Sequence, residues 1–191
     1  MRLGIYNGSF DPVHRGHVAI VRHLLKKNYV DRVIVIPTGN YWDKQSLSPV
    51  KDRIRMWKYF ANERIIVEEE HNELPYTYQL VRVLKKKYPG DTFSLILGAD
   101  TCVRFSDRKN YRELLKLHFL VLPRDGIDID ACMKTLDKTN YTVVSDFEEI
   151  DISSSYIREN MDSYEKVRNC VHKRVFEYYR GVLKRMGRVL D

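Results

Sequence analysis

Short apolar runs recur along the chain, and stretches with helical spacing of apolar and polar positions lie between them. The runs cover residues 3–6, 30–37, 65–67, 93–97, 119–122 and 141–144. The helical stretches are 18–27, 49–61, 77–87, 111–116, 131–136, 154–160 and a terminal pair over 164–179 and beyond. Apolar runs of this kind are typical of strands buried on both faces. The alternation predicts an α/β fold: a single Rossmann-like, doubly wound, mostly parallel sheet with helices on both faces and a helical C-terminal segment.

The length of 191 residues favours one domain over two, because two would each have a small core. We therefore expect a single domain over 1–191, with 160–191 as its basic helical C-terminal segment. Residues 166–188 carry eight bases and one acid, which equals the net charge of +7 of the whole chain. A basic tail can attract nucleic acid, but this one also has a helical apolar stripe, so nucleic-acid binding is not favoured. The stripe comprises Val167, Val171, Val175, Phe176, Tyr179 and Leu183.

The cysteines and the N-terminus indicate the compartment. Cys102, Cys132 and Cys170 are odd in number, widely spaced and without Cys-x-x-Cys pairing, which favours neither disulfides nor a structural zinc site. The first strand begins without a charged-then-apolar leader, and no apolar run approaches 18 residues. We expect a cytoplasmic protein without a membrane partner, and a homo-oligomer is compatible with the sequence.

One polar string follows the first apolar run and opens the first helical stretch. It reads Gly8-Ser9-Phe10-Asp11-Pro12-Val13-His14-Arg15-Gly16-His17. Small residues allow the backbone to approach a ligand closely, and a helix N-terminus directs unpaired N–H groups and partial positive charge toward it. His14 and His17 share one side of the first turn, where imidazoles can donate hydrogen bonds to phosphate oxygens. The string predicts a phosphate site at the end of the first strand.

Other phosphate and metal sites are not favoured. The sequence has neither a Gly-x-x-x-x-Gly-Lys-Ser/Thr loop nor a Gly-x-Gly-x-x-Gly fingerprint. A zinc site at His14 and His17 would need further ligands, and His23, two turns along, has no nearby acid in sequence. The phosphate interpretation of the two histidines is therefore preferred.

A second string strengthens this interpretation through a family resemblance. It reads Ile152-Ser153-Ser154-Ser155-Tyr156-Ile157-Arg158-Glu159. Together the two strings resemble those of the HxGH nucleotidylyltransferases, which transfer AMP or CMP from a nucleoside triphosphate to a phosphate. Residues 153–155 are also typical of a helix N-cap, which is compatible with phosphate binding.

Three further strings narrow the resemblance to bacterial nicotinate mononucleotide adenylyltransferases. The resemblance implies transfer of AMP from ATP to nicotinate mononucleotide, which gives deamido-NAD and pyrophosphate in NAD biosynthesis, with Mg²⁺ accompanying ATP. The strings are Pro75-Tyr76-Thr77, Leu97-Gly98-Ala99-Asp100 and Pro123-Arg124-Asp125-Gly126.

The same resemblance implies roles for particular residues and no metal ligand among them. The implied catalytic residues are His14, His17 and Lys44. The implied ATP-binding residues are Gly8, Ser9, Phe10, His14, His17, Gly98, Asp100, Ile152, Ser153, Ser154 and Arg158. The implied acceptor-binding residues are Tyr76, Thr77, Arg108 and Arg124.

The sequence departs from the family pattern in two places. Arg108 and Lys109 stand where the family usually has a Trp and often a Tyr that stack on the nicotinate ring. The family's Pro-Pro-His-Lys/Arg string is replaced by Tyr41-Trp42-Asp43-Lys44, which keeps the charge of its last residue. Both changes fall on the acceptor side, where Arg108 or Trp42 would have to replace the missing ring. The alternatives are a phosphopantetheine or nicotinamide mononucleotide adenylyltransferase, or a nucleotide-binding regulator without turnover.

Overall fold

A computed structural model of the chain describes residues 1–41, 47–138 and 140–188. Its centre is a six-stranded sheet of order β3-β2-β1-β4-β5-β6, in which all neighbouring pairs are parallel. The predicted α/β architecture is confirmed, and the sheet is parallel throughout. The strands are β1 (Arg2–Gly8), β2 (Arg32–Pro37), β3 (Ile65–Val67), β4 (Thr92–Gly98), β5 (His118–Leu122) and β6 (Tyr141–Val143).

Helices connect and follow the strands, and most lie where the sequence predicts them. They are α1 (Arg15–Lys26), α2 (Val50–Lys58), α3 (Thr77–Lys87), α4 (Ala99–Val103), α5 (Tyr111–Leu114), α6 (Ile129–Thr135), α7 (Ser154–Glu159), α8 (Tyr164–Val167) and α9 (Lys173–Arg185). The sequence did not predict α4 or the 3₁₀ turn Phe105–Asp107 that follows it.

Two apolar cores cover the two faces of the sheet. Along β2, Val33 and Val35 point to one core, whereas Ile34 and Ile36 point to the other. This alternation follows from the two-residue period of a strand. Helices α1, α2, α7, α8 and α9 contribute to the first core, and α3, α4, α5 and α6 to the second. The continuous apolar runs are explained by this burial on both faces.

The C-terminal segment packs its apolar stripe into the first core. All six predicted stripe residues are buried. The segment contains two helices, α8 and α9, because the chain leaves helical geometry between them. Several of its bases lie within ion-pair distance of acids; these are Lys166 with Asp162, Arg168 with Glu165, Lys173 with Glu177, and Arg185 with Asp52. Within the described ranges, no helix has both the length and the apolar character needed to cross a membrane.

Three helix starts differ from the prediction, and the one at α6, which begins at Ile129 rather than at residue 131, is explained by the cap at Asp128. The first turn of α1 begins at Arg15 rather than at residue 18, because His14 caps it. In the sequence, Ser48 has the residue type of a helix cap and Pro49 that of a first helical residue, which together predict the start of the second helix. In the structure α2 begins at Val50, and Ser48 instead donates its hydroxyl proton to the buried carboxylate of Asp11. A long-range partner has replaced the local cap.

The strand order places one site at the middle of the sheet. β1 and β4 are neighbours, and from them the chain proceeds outward in opposite directions. In such sheets a crevice forms beyond the carboxyl ends of the strands at the point where the order switches. The loops after β1, β4 and β5 meet at this point.

Candidate active site

A cleft of about 300 Å³ lies at the carboxyl ends of β1, β4 and β5. It gathers most of the predicted site residues from four separate segments of the chain. Tyr76 and Thr77 line a smaller pocket nearby, which shares Asn7 with the cleft. Lys44 and Trp42 lie outside the described residues. The predicted residues that line the cleft are Gly8, Ser9, Phe10, His14, His17, Gly98, Asp100, Arg108, Arg124 and Ile152.

The two histidines cap the first turn of α1 reciprocally. The backbone N–H of His17 donates to Nδ1 of His14, and the backbone N–H of His14 donates to Nδ1 of His17, both at 3.3 Å. The rings stack with centroids 3.5 Å apart. Because each Nδ1 accepts a hydrogen bond, the ring proton of the neutral form resides on Nε2. The helix start therefore fixes the tautomer, and each Nε2–H is available as a donor.

Burial keeps both imidazoles neutral at physiological pH. It lowers the pKa of His14 to about 4. For His17, burial first and the neighbouring His14 second hold the pKa well below its ordinary value. Neutral imidazoles can donate hydrogen bonds to phosphate without first losing a proton. The site thus presents two fixed N–H donors rather than two cations.

Phe10 supports His17 from the side. Its backbone adopts a left-handed conformation with φ of 52°, which is uncommon for an aromatic residue. Its ring meets the edge of His17 at a centroid distance of 4.9 Å and that of Trp57 at 5.1 Å. A Cβ at Gly8 would approach this ring to 3.0 Å. The glycine therefore leaves room for the ring that packs against the imidazole.

The second sequence string is joined directly to the first. Ser153 caps α7 by accepting the N–H of Tyr156 at 3.1 Å, as its sequence predicts. Ser154 donates to the carbonyl of Pro12 at 3.1 Å, and Arg158 donates to the carbonyl of Asp11 at 2.7 Å. Ser153, Ser154 and Arg158 lie beside the cleft rather than along its lining. In this structure they hold the loop that carries the histidines.

Charged side chains border the cleft after β4 and β5. Asp100 lies in the first turn of α4, and Gly98 rather than Asp100 occupies the cap position. Arg124 donates to Glu149 at 2.7 Å and lies 3.9 Å from Asp100. A Cβ at Gly98 would lie 2.5 Å from the Asp100 carboxylate. The Asp100 carboxylate therefore needs the glycine beside it in order to face the cleft.

The small pocket of about 40 Å³ lies next to the cleft, where α3 begins. The Thr77 hydroxyl oxygen accepts hydrogen bonds from Arg108 at 3.3 Å and from Asn7 at 3.4 Å. Because its oxygen accepts from both, its own proton remains to be donated. Burial lowers the pKa of Arg108, whose guanidinium also lies over the Phe105 ring at 5.5 Å. The residue that replaces the family's Trp thus points into the site and not to solvent.

Lys109 occupies the second departure from the family pattern. Its ammonium lies 4.6 Å from the centroid of the Tyr76 ring, and Tyr76 stacks on Tyr78. This contact is a cation–π interaction at the outer wall of the small pocket. The acceptor side therefore contains cations and aromatic rings in a different arrangement from that implied by the resemblance.

One cluster among the described residues has the spacing of a metal site, and it lies outside the cleft. It consists of Glu68, Glu70 and His71. The ammonium of Lys87 lies 3.4 Å from both carboxylates. A cation thus already offsets part of the negative charge of this cluster. At the cleft, the carboxylates of Asp100 and Glu149 both face Arg124.

Sequence reasoning missed three residues that the structure brings to the site. Asn7 ends β1 and lines both cavities, Glu149 pairs with Arg124, and Arg53 binds the loop after β1 from behind. A signal existed for Arg53, because a charged residue occupies a buried position of the amphipathic helix α2. Asn7 and Glu149 carry no comparable signal, since polar residues are ordinary in loops and at strand ends.

The chain is similar in sequence to known proteins. The sequence profile of the cytidylyltransferase-like family matches residues 5–160. A protein of Clostridium novyi named probable nicotinate-nucleotide adenylyltransferase is 32% identical over 86% of this chain and 88% of its own length. One of the same name from Fusobacterium nucleatum is 32% identical over 92% of this chain and 95% of its own.

Solved structures show the same fold. The Plasmodium falciparum nicotinic acid mononucleotide adenylyltransferase, solved in complex with NaAD, superposes with a TM-score of 0.79. The match covers 95% of this chain and 96% of the other, at 22% identity. The Rossmann-like architecture is therefore shared over almost the whole length of both chains.

Proposed function

The chain belongs to the cytidylyltransferase-like family, and we propose that it transfers the adenylyl group of ATP to nicotinate mononucleotide. The products are deamido-NAD and pyrophosphate, and the step belongs to NAD biosynthesis. The names of the most similar relatives support this activity. The observation that carries it is the reciprocal histidine cap, which holds two Nε2–H donors at the phosphate end of the cleft.

The reaction needs positioning and charge stabilisation rather than a covalent intermediate. A phosphate oxygen of the mononucleotide attacks the α-phosphorus of ATP, and the bond to the leaving pyrophosphate breaks in line with it. Negative charge then increases on the leaving group. The Nε2–H groups of His14 and His17 would donate to the α- and β-phosphate oxygens, with His17 the donor whose bond strengthens as charge develops.

The remaining ATP contacts follow from the elements around the cleft. The backbone of Gly8, Ser9 and Phe10 would face the phosphates, and Asp100 beside Gly98 would accept the ribose hydroxyls. Ile152, Ser153 and Ser154 bring the start of α7 to the same loop. Arg158 would add positive charge for the β- and γ-phosphates in addition to its hydrogen bond to Asp11.

The acceptor would lie across the other half of the cleft. Arg124 would bind the phosphate of the mononucleotide, for which it must exchange its bond to Glu149. The hydroxyl of Thr77, the backbone around Tyr76 and Thr77, and the Arg108 guanidinium would meet the pyridine substituent. Lys44, in the segment after β2, would supply a further charge to the phosphates.

We assign the divalent metal of the reaction as Mg²⁺ bound to ATP. Mg²⁺ keeps several waters and commonly binds through substrate phosphates with few protein ligands. This fits a cleft whose described carboxylates, Asp100 and Glu149, are both oriented toward Arg124. When bound, the metal would neutralise phosphate charge, and the side chains would orient the reactants. We also propose a cytoplasmic location, in which the free thiols of Cys102, Cys132 and Cys170 would persist.

Pyrophosphate release by the purified protein tests the proposal. ATP would be offered with nicotinate mononucleotide, nicotinamide mononucleotide or phosphopantetheine in parallel. We expect release with nicotinate mononucleotide and formation of deamido-NAD, identified by mass. Turnover of phosphopantetheine alone would overturn the acceptor assignment. ATP binding without turnover of any acceptor would overturn the enzymatic function in favour of a nucleotide-binding regulator.

A further inference from the structure

Arg53 is a fully buried charged residue that touches both loops beside the active site. It lies in α2, and its side chain is inaccessible to solvent. Its guanidinium donates three hydrogen bonds in three directions. Nε donates to the carbonyl of Ser48 at 3.0 Å, Nη1 to the carbonyl of Ser9 at 2.6 Å, and Nη2 to Oδ1 of Asn40 at 2.6 Å. Ser9 lies in the loop after β1, whereas Asn40 and Ser48 both lie in the connection between β2 and α2.

The bond to Ser9 fixes one side of Phe10. The carbonyls of Ser9 and Asp11 flank Phe10, and each accepts from a guanidinium, Arg53 on one side and Arg158 on the other. Phe10 has the left-handed backbone described above, which costs free energy unless its surroundings hold it. Its ring lies against the edge of His17. A change at Arg53 would therefore reach the imidazole through one intervening residue.

The bond to Asn40 fixes the segment after β2. The Asn40 amide nitrogen donates to the carbonyl of Leu47 at 2.8 Å, so this side chain bridges residues 40 and 47. Those two residues flank the segment that carries Lys44. Arg53 donates to the Asn40 side chain that forms this bridge and also to the Ser9 carbonyl in the loop after β1. The Arg53 side chain thus connects the loop that precedes His14 with Asn40 directly and with Leu47 through Asn40.

The chemistry of the site requires a guanidinium. Arginine has N–H donors on three nitrogens in one rigid plane, whereas a lysine ammonium is a single point and a glutamine amide has one nitrogen. Asp11, itself buried, accepts from the backbone N–H and the hydroxyl of Ser48, the residue whose carbonyl Arg53 binds. Buried charged networks of this kind often add little net stability. We expect this network to affect the conformation of the two loops that it joins more than the stability of the protein.

We propose that Arg53 is a positioning residue for adenylyl transfer, which fixes the loop of His14 and His17 against Asn40 and Ser48, two described residues between β2 and α2. The proposal rests on the proposed function. It predicts a larger defect in kcat than in substrate affinity, because Phe10 transmits the change to His17, whereas Asp100 and Arg158 lie on other elements and would still contact ATP.

The test compares Arg53→Lys and Arg53→Gln with Arg55→Gln. Arg55 lies in the same helix with an exposed side chain, so its variant controls for charge loss in α2. Both kcat and KM would be measured, and kcat would be calculated per active site from the number of sites found by calorimetric ATP titration. We expect Arg53→Gln to lower kcat roughly 100-fold, because a small misplacement of a catalytic group is costly. Arg53→Lys should lower kcat only about tenfold. KM for ATP should change less than about threefold, and Arg55→Gln should match the wild type.

Asn40→Ala provides a second route that does not depend on replacing a buried charge. It removes one acceptor of Arg53 and should lower kcat by roughly 3- to 10-fold. Combined with Arg53→Lys, it should lower kcat less than the product of the two single effects, since coupled residues are non-additive. If the Arg53 variants do not fold, an unchanged kcat of Asn40→Ala overturns the proposal.

Two outcomes separate this proposal from the function on which it rests. An active wild type together with a folded Arg53→Gln variant of unchanged kcat overturns the positioning role alone. The same holds if the variant loses activity only in proportion to lost ATP-binding sites, which would mean a purely structural role. A wild type that releases no pyrophosphate with any acceptor overturns the proposed function, and the positioning role with it.

Discussion

The two halves of the cleft are built differently. On the proposed ATP side, the loop after β1 is held by hydrogen bonds from α1, α2 and α7, and its histidines are mostly buried. On the proposed acceptor side, Thr77, Arg108 and Arg124 come from three separate connections, and Arg124 is about half exposed. The first half is fixed by backbone geometry, and the second by long side chains at the ends of short elements.

This difference determines where substitutions are tolerated. A backbone loop with partners on several sides has few alternative conformations, so a change in one partner displaces the whole loop. A guanidinium on an exposed chain can exchange partners, as Arg124 would on leaving Glu149. We therefore expect changes within the loop of His14 and His17 to affect the chemical step, and changes at guanidiniums that would contact a substrate to affect binding and specificity.

The largest effect is expected on the ATP side, at His17. His17→Ala should lower kcat by roughly 100-fold or more, the loss typical of one donor to developing charge. ATP binding should change much less, since the other phosphate contacts remain. His14→Ala should lower kcat similarly and weaken ATP binding more. Steady-state kinetics together with ATP calorimetry would measure both quantities.

His118→Gln is the matched control for the histidine variants. His118 begins β5, at the end of the strand opposite to the cleft, and its ring forms hydrogen bonds with Ser94 and Thr142. Its variant should retain the wild-type kcat. A folded His17→Ala variant with wild-type turnover would contradict the proposed role of the histidine cap.

The next effect compares the two halves directly. Arg158→Ala should chiefly raise KM for ATP, and Arg124→Ala should chiefly raise KM for the mononucleotide. A lost charge-assisted contact is worth about 1.5–3 kcal/mol, so each KM should rise by roughly 10- to 100-fold. Kinetics with each substrate varied in turn would separate them. Equal effects of both variants on both substrates would contradict the division of the cleft.

The local structure around His14 and His17 could be predicted from the sequence because its signals are local. The spacing of His14 and His17, the strand before them and the helix after them all lie within one stretch of chain. Ser153 at the start of α7 is a local cap signal of the same kind.

The features that the sequence did not predict are contacts between distant positions or elements too short to show a pattern. Ser48 has the residue type of a cap, but its partner is Asp11, 37 positions away. Helix α4 is five residues long and too short to have an apolar period. Arg53 lies on the buried face of α2, which the amphipathic pattern indicates, but its partners Ser9 and Asn40 are 44 and 13 positions away. On the acceptor side, the approach of Arg108 to Thr77 joins positions 31 apart.

A pH effect of intermediate size follows from the burial of the histidine pair. The folded-state pKa of His14, about 4, lies below the ordinary value of 6.5. Between these values the unfolded chain binds a proton that the folded chain does not, so stability present above pH 6.5 is lost as the pH falls. From pH 6.5 to 5 this site alone should lower the free energy of unfolding by about 1.5 kcal/mol.

Urea unfolding of the wild type and His14→Asn would measure that pH effect. Asparagine keeps an acceptor at the cap position but does not titrate in this range. The loss of stability between pH 6.5 and 5 should be smaller in the variant. An equal loss in both proteins would show that His14 is not the group responsible.

The smallest effect concerns the choice between an acid and an amide on the acceptor side. The Thr77 hydroxyl accepts from Asn7 and Arg108, so its proton faces the pocket together with the backbone N–H groups at the start of α3. A carboxylate can accept from all these donors, whereas the amide nitrogen of nicotinamide would meet another donor, a mismatch of about 1–3 kcal/mol when buried. We expect at least a roughly tenfold preference in kcat/KM for nicotinate over nicotinamide mononucleotide.

Arg108→Ala should narrow that preference, because it removes a donor and releases the Thr77 hydroxyl. Kinetics of the wild type and the variant with both mononucleotides would measure the ratio. A ratio unchanged by Arg108→Ala would assign the preference to the backbone alone. Equal use of both mononucleotides by the wild type would contradict the donor argument and direct attention to Asn72. The Oδ1 atom of Asn72 is buried in the wall of the small pocket, has no hydrogen-bond partner among the described residues, and could accept from an amide.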